Sequence, residues 1–574
     1  MSRAEVSTLI AITVIVPFAG ALAVAVLGGV ERSRKVIAVI YAMLAVGFNL
    51  ALLSGYLQAQ GRAGWGSIKL SALSYPVFLV LNLLTVAAVL YAGFRPSRAE
   101  RPGLLLATIP AACGLGALAV LATTLLPFVL LWLGVTAVAL LGLLAHGGGG
   151  MRGRLRAFTP WIFSDLLLVV GAILCATWLK ESSILIKPPA LGNETQTVIV
   201  VALFLASALI RLGVFPLHTW IRDLTARTDS GWSSFFVGSA NFLLSAFRLV
   251  IAITLLGRLV ASDWGLGLAI FALFSVVLGP VLALRSTSAA ACASDFYCMQ
   301  AGFLLLALAV FSRPGLEAGL FIMLTAPLAL TAFFMATGTA GDLRGTGALG
   351  QQRLPVKLAP AAFVVALTAG LALAGAPPFD GFIGKGFTAL AGIDKSGTQR
   401  FYILTAALCL LAIAVALVAA GRLVAGSHTA EPSISSARKP ALLEGLAPLG
   451  ICAASLMLGA FPGLLARNFI GSASTSLFAP GFTGPAVAFK GAGVAVAGAM
   501  ATYDAWGAIV AAALLSVAGI AAAAYVASRA RHPSAGPAIR RAPFVGGARG
   551  EHAISWPALV GWSWVSGARR RRRR

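Results

Sequence analysis

Apolar stretches long enough to cross a bilayer recur along almost the whole chain, and no other feature restricts its fold so tightly. A spanning helix needs roughly 20 mostly apolar residues. About fifteen such spans are expected, beginning near Ser7, Val36, Tyr75, Leu104, Pro127, Phe158, Val198, Ser234, Gly265, Ala290, Gly315, Ala359, Phe401, Glu444 and Tyr503. The connectors are short, which forces successive helices to run antiparallel. The expected fold is an all-α polytopic membrane protein with about 14–15 transmembrane helices. Only 11% of the residues are charged, against about 25% in a soluble domain, and no stretch of useful size reads as a soluble domain. The N-terminal "STLIAITVIVPFAGALAVAVLGG" is itself long enough to span, and no cleavable signal is expected there.

The formal net charge is +25. In a soluble protein that excess suggests nucleic acid. Here the basic residues sit in connectors and in the tail, where topology accounts for them, and no nucleic-acid partner is expected. Connectors after odd spans, up to Lys357, hold fifteen Lys and Arg, among them Arg32, Arg98, Arg154 and Arg222. Connectors after even spans, through the tenth, hold six. The bias predicts a multi-pass protein of a bacterial cell (inner) membrane, with its N-terminus outside and its C-terminus cytoplasmic. The tail carries Arg529, Arg531, Arg540 and Arg541 and ends in six arginines, Arg569 to Arg574. A solvated topology anchor is the favoured reading of it. Attraction to anionic lipid would add about 1 kcal/mol per basic residue near the surface. The six cysteines lie in apolar segments and form no CxxC pair, so disulfides, metal sites and iron–sulfur clusters are not expected. With no nucleotide-binding Gly-rich loop either, no cofactor and no redox site are expected in this chain.

A charge at bilayer depth costs at least about 2.5 kcal/mol, so the few intramembrane charges are the candidate functional residues. Asp165 lies in "WIFSDLLLVV", and Arg211 and His218 flank Pro216 in "ALIRLGVFPLHTWIRD". Arg248 lies in "NFLLSAFRLVIAI" and Asp295 in "ACASDFYCMQAGF". Asp380 and Lys385 follow Pro377 and Pro378 in "LAGAPPFDGFIGKGF". A proline removes a backbone donor and clashes with the preceding turn, so the seventh and twelfth spans should break. Unwound backbone at membrane depth persists only inside protein or along a wet cavity. Paired broken helices at matching places in two halves point to an ion path built from repeats. The competing reading is that the prolines serve packing and Arg211 snorkels.

These elements resemble those of a known family. "FPLHTWIRD" is similar to the FPxHxWLPDA signature of the antiporter-like subunits of respiratory complex I, and "LAGAPPFDGFIGKGF" to their SLAGxPPFxGFxxK element. Weaker matches are "DFYCMQAGFLLLAL" to SSISQxGFxLL, "LMLGAFPGLL" to a late GxxP turn and "SDLLLVVGAIL" to GDxxLxxG. The family also holds Mrp-type cation/proton antiporters, membrane-bound hydrogenase subunits and a membrane partner in bicarbonate uptake. The resemblance covers roughly residues 125–465. It implies two inverted five-helix repeats with helices 7 and 12 broken, and Arg211 and Lys385 at equivalent sites. The implied organisation is helices 1–3 at 1–103, a first repeat at 104–257 and a second at 258–425. C-terminal helices and a possible lateral segment follow at 426–528, and a basic tail at 529–574.

Several family positions differ here. The FWE glutamate of the fifth helix is absent, since Leu133 follows Trp132. Arg211 stands where the family keeps a lysine, and an arginine does not release its proton. The eighth helix offers Asn241 and, displaced, Arg248 in place of histidine and lysine. Lys385 matches a proton-carrying position by residue type. Arg211 is read as a fixed charge that biases a neighbour such as Asp165, or as an anion-attracting site. Asp380 either caps the re-entering helix or relays protons. His218 is favoured as a structural residue, its ring N–H holding the turn through a carbonyl. The resemblance implies a membrane subunit of a complex I-like or Mrp-like assembly that moves protons or monovalent cations alongside other membrane subunits. The alternative is a non-pumping scaffold, such as a bicarbonate-uptake partner. Residues 466–502 read as a loop or a lateral amphipathic helix.

Overall fold

A computed structural model describes residues 3–477 except 59–62, 66–67, 98, 148–149, 181, 184–193, 260, 287, 345–358, 397–399 and 426–440. Strands at 487–490, 493–496 and 502–503 are also described. Among these residues, 13 helices are long and apolar enough to cross a membrane, so the chain is an all-α polytopic membrane protein. The first six are α1 (Arg3–Leu27), α2 (Glu31–Gln58), α3 (Ser74–Phe94), α4 (Pro102–Leu121), α5 (Leu125–Ala145) and α6 (Met151–Trp178). The seventh span is α7 (Glu194–Leu212), followed after a break by the short α8 (Thr219–Thr225). The eighth runs from α9 (Ser230–Ser233) through a π-helical stretch, Ser234–Asn241, into α10 (Phe242–Leu259). Next come α11 (Ala261–Arg285), α12 (Ala289–Ala309) and α13 (Arg313–Arg344). The twelfth expected span is two pieces, α14 (Pro360–Ala374) and α15 (Asp380–Ser396), before α16 (Phe401–Ala425) and α17 (Leu442–Ala460). The fifteenth expected span runs from Tyr503 into residues outside the described set, where the basic tail also lies.

Burial ranks the helices. The eighth span and α13 are wholly enclosed and α12 nearly so, whereas the best apolar window of α1 and of α2 is 33% buried. α13 forms the axis, packing against α12, α14, α15 and α17 and against the π-helical stretch. A π-helical stretch inside an α-helix is rare and often marks a functional site. This one ends at Asn241, which contacts Arg211. The small-residue content of α12 and α14 permits their close packing, the usual source of helix association where lipid is as apolar as leucine.

The region after α17 begins as helix and continues in short strands. Pro462–Leu465, a π-helical turn at Ala466–Ile470 and Gly471–Leu477 follow one another as one helical run. The strands Val487–Lys490, Gly493–Val496 and Thr502–Tyr503 then pair in antiparallel order.

Candidate functional site

Both predicted breaks are present, and they share a pattern. A glycine in the left-handed region ends each first half, Gly213 at φ +68 and Gly375 at φ +92, a conformation that costs a side chain about 1–2 kcal/mol. Three residues later comes a proline with a cis peptide bond, Phe215–Pro216 and Pro377–Pro378. In each case the carbonyl two residues before the glycine accepts from a buried side-chain amide. Asn241 Nδ2 donates to the Arg211 oxygen at 2.9 Å, and Gln300 Nε2 to the Leu373 oxygen at 2.7 Å. Trp220 Nε1 donates to Ile210 O at 3.2 Å, and Ser275 Oγ accepts from Phe215 N at 2.8 Å. The freed backbone is thus satisfied by protein, as burial at membrane depth requires.

The two cations lie on opposite halves of their breaks. Arg211 is in the last turn of α7, two residues before Gly213, whereas Lys385 is in α15, ten residues after Gly375. Aligned on the glycine and the cis proline, Arg211 corresponds to Leu373 and Lys385 to Asp223. The sites are related by the break rather than by position along the helix.

Arg211 is 1% exposed and makes three side-chain hydrogen bonds. Its Nε donates to Asn241 Oδ1 at 2.7 Å, and its Nη1 donates to Thr136 Oγ1 at 3.0 Å and to Asp165 Oδ1 at 3.2 Å. The guanidinium stacks 3.9 Å from the Trp161 ring centre. Asp165 Oδ1 also accepts from Trp132 Nε1 at 2.9 Å and lies 3.9 Å from Arg248 Nη1. Arg248 Nη2 donates to Ser207 and, at 3.3 Å, to Ser164. Asp165 of α6 thus places a carboxylate beside Trp132 of α5. Trp132 and Arg211 both donate to this carboxylate.

The second site is sparser. Lys385 and Asp380 are each 1% exposed and line one cavity of about 10 Å³ with Gln300, Thr325 and Gly381, close to the room one water needs. Asp380 Oδ1 accepts from Ser455 Oγ at 2.7 Å and from Gly381 N at 2.7 Å. Its Oδ2 and Lys385 Nζ have no hydrogen-bond partner. One oxygen thus serves the helix start while the other stays available. Lys385 Nζ lies 5.4 Å from the Phe303 ring centre. Gly459 of α17 lets the break be covered, since a Cβ there would sit 2.1 Å from Pro378 O and 2.4 Å from Asp380 N.

The remaining candidates go elsewhere. Asp295 pairs with Arg222 at 2.7 Å and accepts from Ser286, a cluster apart from the Lys385 cavity. His218 packs its ring 5.5 Å from Phe215, and its Nδ1 makes no hydrogen bond, so a ring N–H from that nitrogen does not hold the turn. Thr136, Trp161, Tyr297 and Ser455 were not singled out from sequence. Thr136 had a signal, four residues after Trp132 and so on the same helix face. All six cysteines are buried free thiols.

Thirteen apolar helices of spanning length among the described residues, two broken helices and a buried charge beside each break define a polytopic membrane protein of the broken-helix class. Residues 151–413 match the family described as NADH:quinone oxidoreductase/Mrp antiporter, TM. This match and the relatives below support the family of antiporter-like membrane subunits. It is 29% identical over 406 residues to NADH-quinone oxidoreductase subunit 13 of Thermus thermophilus, covering 68% of this chain and 81% of that one. It is 25% identical over 359 residues to NAD(P)H-quinone oxidoreductase chain 4 1 of a Synechococcus species, covering 61% of this chain and 66% of that one. A chain in the structure of the Mrp complex from Dietzia sp. DQ12-45-1b superposes with a TM-score of 0.71 at 19% identity, covering 83% of this chain and 98% of that one, a likeness of fold.

Proposed function

We propose that the chain is the translocating membrane subunit of a hetero-oligomeric respiratory or antiporter assembly, and that protons move through its second half at Lys385 and Asp380. The observation that carries this reading is the pair of buried, unpartnered groups, Asp380 Oδ2 and Lys385 Nζ, on one water-sized cavity at a helix break. A lysine and a carboxylate exchange protons, and a single water between them is a sufficient bridge. A metal cation is disfavoured as cargo there, because it would have to share the cavity with an ammonium group. Arg211 and Arg248 hold their protons, so the first half serves as a fixed electrostatic element locked by Asp165.

The names of the relatives support other membrane subunits as partners, and the Lys/Arg bias supports a bacterial cell membrane with the N-terminus outside. The second reading, a non-pumping scaffold such as a bicarbonate-uptake partner, draws on the hydrogen-bonded Arg211 and the missing carboxylate at Leu133.

The test is proton and sodium flux in proteoliposomes carrying the chain with its co-purifying partners. Wild type should move protons, Lys385→Ala should abolish the flux and Asp380→Asn should reduce it at least tenfold, while Arg211→Ala should retain part of it. A folded wild-type assembly without flux, or full flux in Lys385→Ala, would sink the proposal in favour of the scaffold.

A further inference from the structure

The first-half cluster carries a charge that its own residues do not balance. Arg211 and Arg248 are cations at any accessible pH. Asp165 is the carboxylate they share, at 3.2 and 3.9 Å. Their other side-chain partners, Thr136, Asn241, Ser164 and Ser207, are neutral. With Asp165 ionised the cluster is left with one net positive charge, buried where charge is costly. Arg211 donates through Nε and Nη1 to Asn241, Thr136 and Asp165. Arg248 is 4% exposed, and its Nε and Nη1 have no hydrogen-bond partner.

Arg248 also lines a cavity of about 30 Å³, open on one side and otherwise apolar. Leu125, Phe128, Leu168, Phe204, Ile251 and Leu255 form its walls. Leu125 starts α5 and Leu255 is near the end of α10, so the cavity runs from one end of the bundle inward to Arg248. Two turns of α10 separate Leu255 from Arg248, about 10 Å at 1.5 Å per residue. The same region of α5 and α6 presents Leu126, Leu130 and Leu166 as exposed side chains, so an apolar group leaving the cleft meets apolar surface.

We infer that this cleft binds a long-chain carboxylate, its acid group on Arg248 and its hydrocarbon chain along the apolar walls. The charge calls for a monoanion, and a carboxylate oxygen accepts from either unpartnered N–H of the guanidinium, at Nε or at Nη1. A small hydrated anion would give up its water for one cation and an apolar wall, a poor exchange. A chain on the anion turns that wall into favourable contact. This site is independent of the Lys385–Asp380 cavity and stands whether or not the chain translocates protons.

The experiment is equilibrium binding of radiolabelled oleate to the purified complex in a neutral detergent, with oleyl alcohol and acetate as competitors. Saturable binding of one oleate per chain is expected, with oleyl alcohol at least tenfold weaker and acetate without effect. Arg248→Gln should weaken binding at least tenfold. Leu255→Trp, which fills the cleft and leaves every charge in place, should also block it and stands in for Arg248→Gln if that variant does not fold. Equal binding of the alcohol and the acid overturns the role of Arg248. Competition by acetate at the same concentration as oleate makes this a small-anion site instead. Absence of saturable binding, or wild-type binding in the folded variants, overturns the proposal outright.

Discussion

Asp165→Asn tests the cluster most directly, because it removes one charge and little else. The amide is nearly isosteric and keeps an oxygen for Trp132 Nε1, which now lies 2.9 Å from Oδ1. What is lost is the counter-charge of Arg211 at 3.2 Å and of Arg248 at 3.9 Å. Breaking a buried ion pair by removing one partner costs about 3–5 kcal/mol, since the other charge stays buried and uncompensated. Two guanidiniums are stranded here, which places the expected loss near the upper end, about 5 kcal/mol. At about 2 °C per kcal/mol for a large domain, the apparent melting temperature should fall by roughly 10 °C. The assay is thermal unfolding of the purified complex in detergent, followed by loss of the monodisperse elution peak. Combining Asp165→Asn with Arg248→Gln leaves a single stranded cation, so the double variant should melt above Asp165→Asn alone, a coupling that a double-mutant cycle reads. A melting temperature within about 2 °C of wild type for Asp165→Asn would refute the buried ion-pair account.

Three further outcomes follow from the same geometry. His146, at the end of α5, accepts from Asp229 N at Nε2 (2.8 Å) and bonds Gly142 O through Nδ1 (2.7 Å), which requires the neutral ring. Burial holds it below its ordinary value of 6.5, so its stabilising contribution is complete above pH 6.5 and is lost as pH falls through the folded-state value. The melting-temperature difference between wild type and His146→Gln should therefore narrow between pH 7.5 and 5, and a constant gap would contradict this. Gly459→Ala should cost at least about 3 kcal/mol through overpacking against Pro378 and Asp380, read as reduced yield and melting temperature, whereas Gly450→Ala, which meets nothing, should be neutral. Gly375→Ala places a side chain at φ +92 and against Lys385 Cδ at 3.0 Å, and should cost about 1–2 kcal/mol while lowering proton flux more than Gly213→Ala does.

Much of the site was readable because prolines and intramembrane charges are loud signals in an apolar chain. Pro216, Pro377 and Pro378 marked both breaks, and Arg211, Asp165 and Lys385 were the residues to examine because lipid tolerates so few charges. Asp295 stood out by the same rule, yet it serves an ion pair with Arg222, which is itself 46% exposed on its side chain. His218 was given a hydrogen-bonding role that a ring nitrogen without a partner does not fill. Composition alone had little to say about 466–502, where small residues suit a loop, a helix or short strands equally.

The amino-acid sequence determined the membrane class, the succession of spans and the places where two helices stop, because each depends on local length, hydropathy and proline chemistry. Tertiary structure decided which charges meet. Asp165 reaches Arg211 across 46 residues, and Ser455 reaches Asp380 across 75. It also set Arg211 and Lys385 on opposite sides of their breaks and left Arg248 facing an apolar cleft. The physical reason is that lipid and protein interior are alike apolar. A spanning helix therefore carries hydrophobic residues on the face it buries and on the face it shows, and periodicity does not say which way it turns. That choice is made by packing and by the need to satisfy each buried polar group, and both exist only once the helices are assembled.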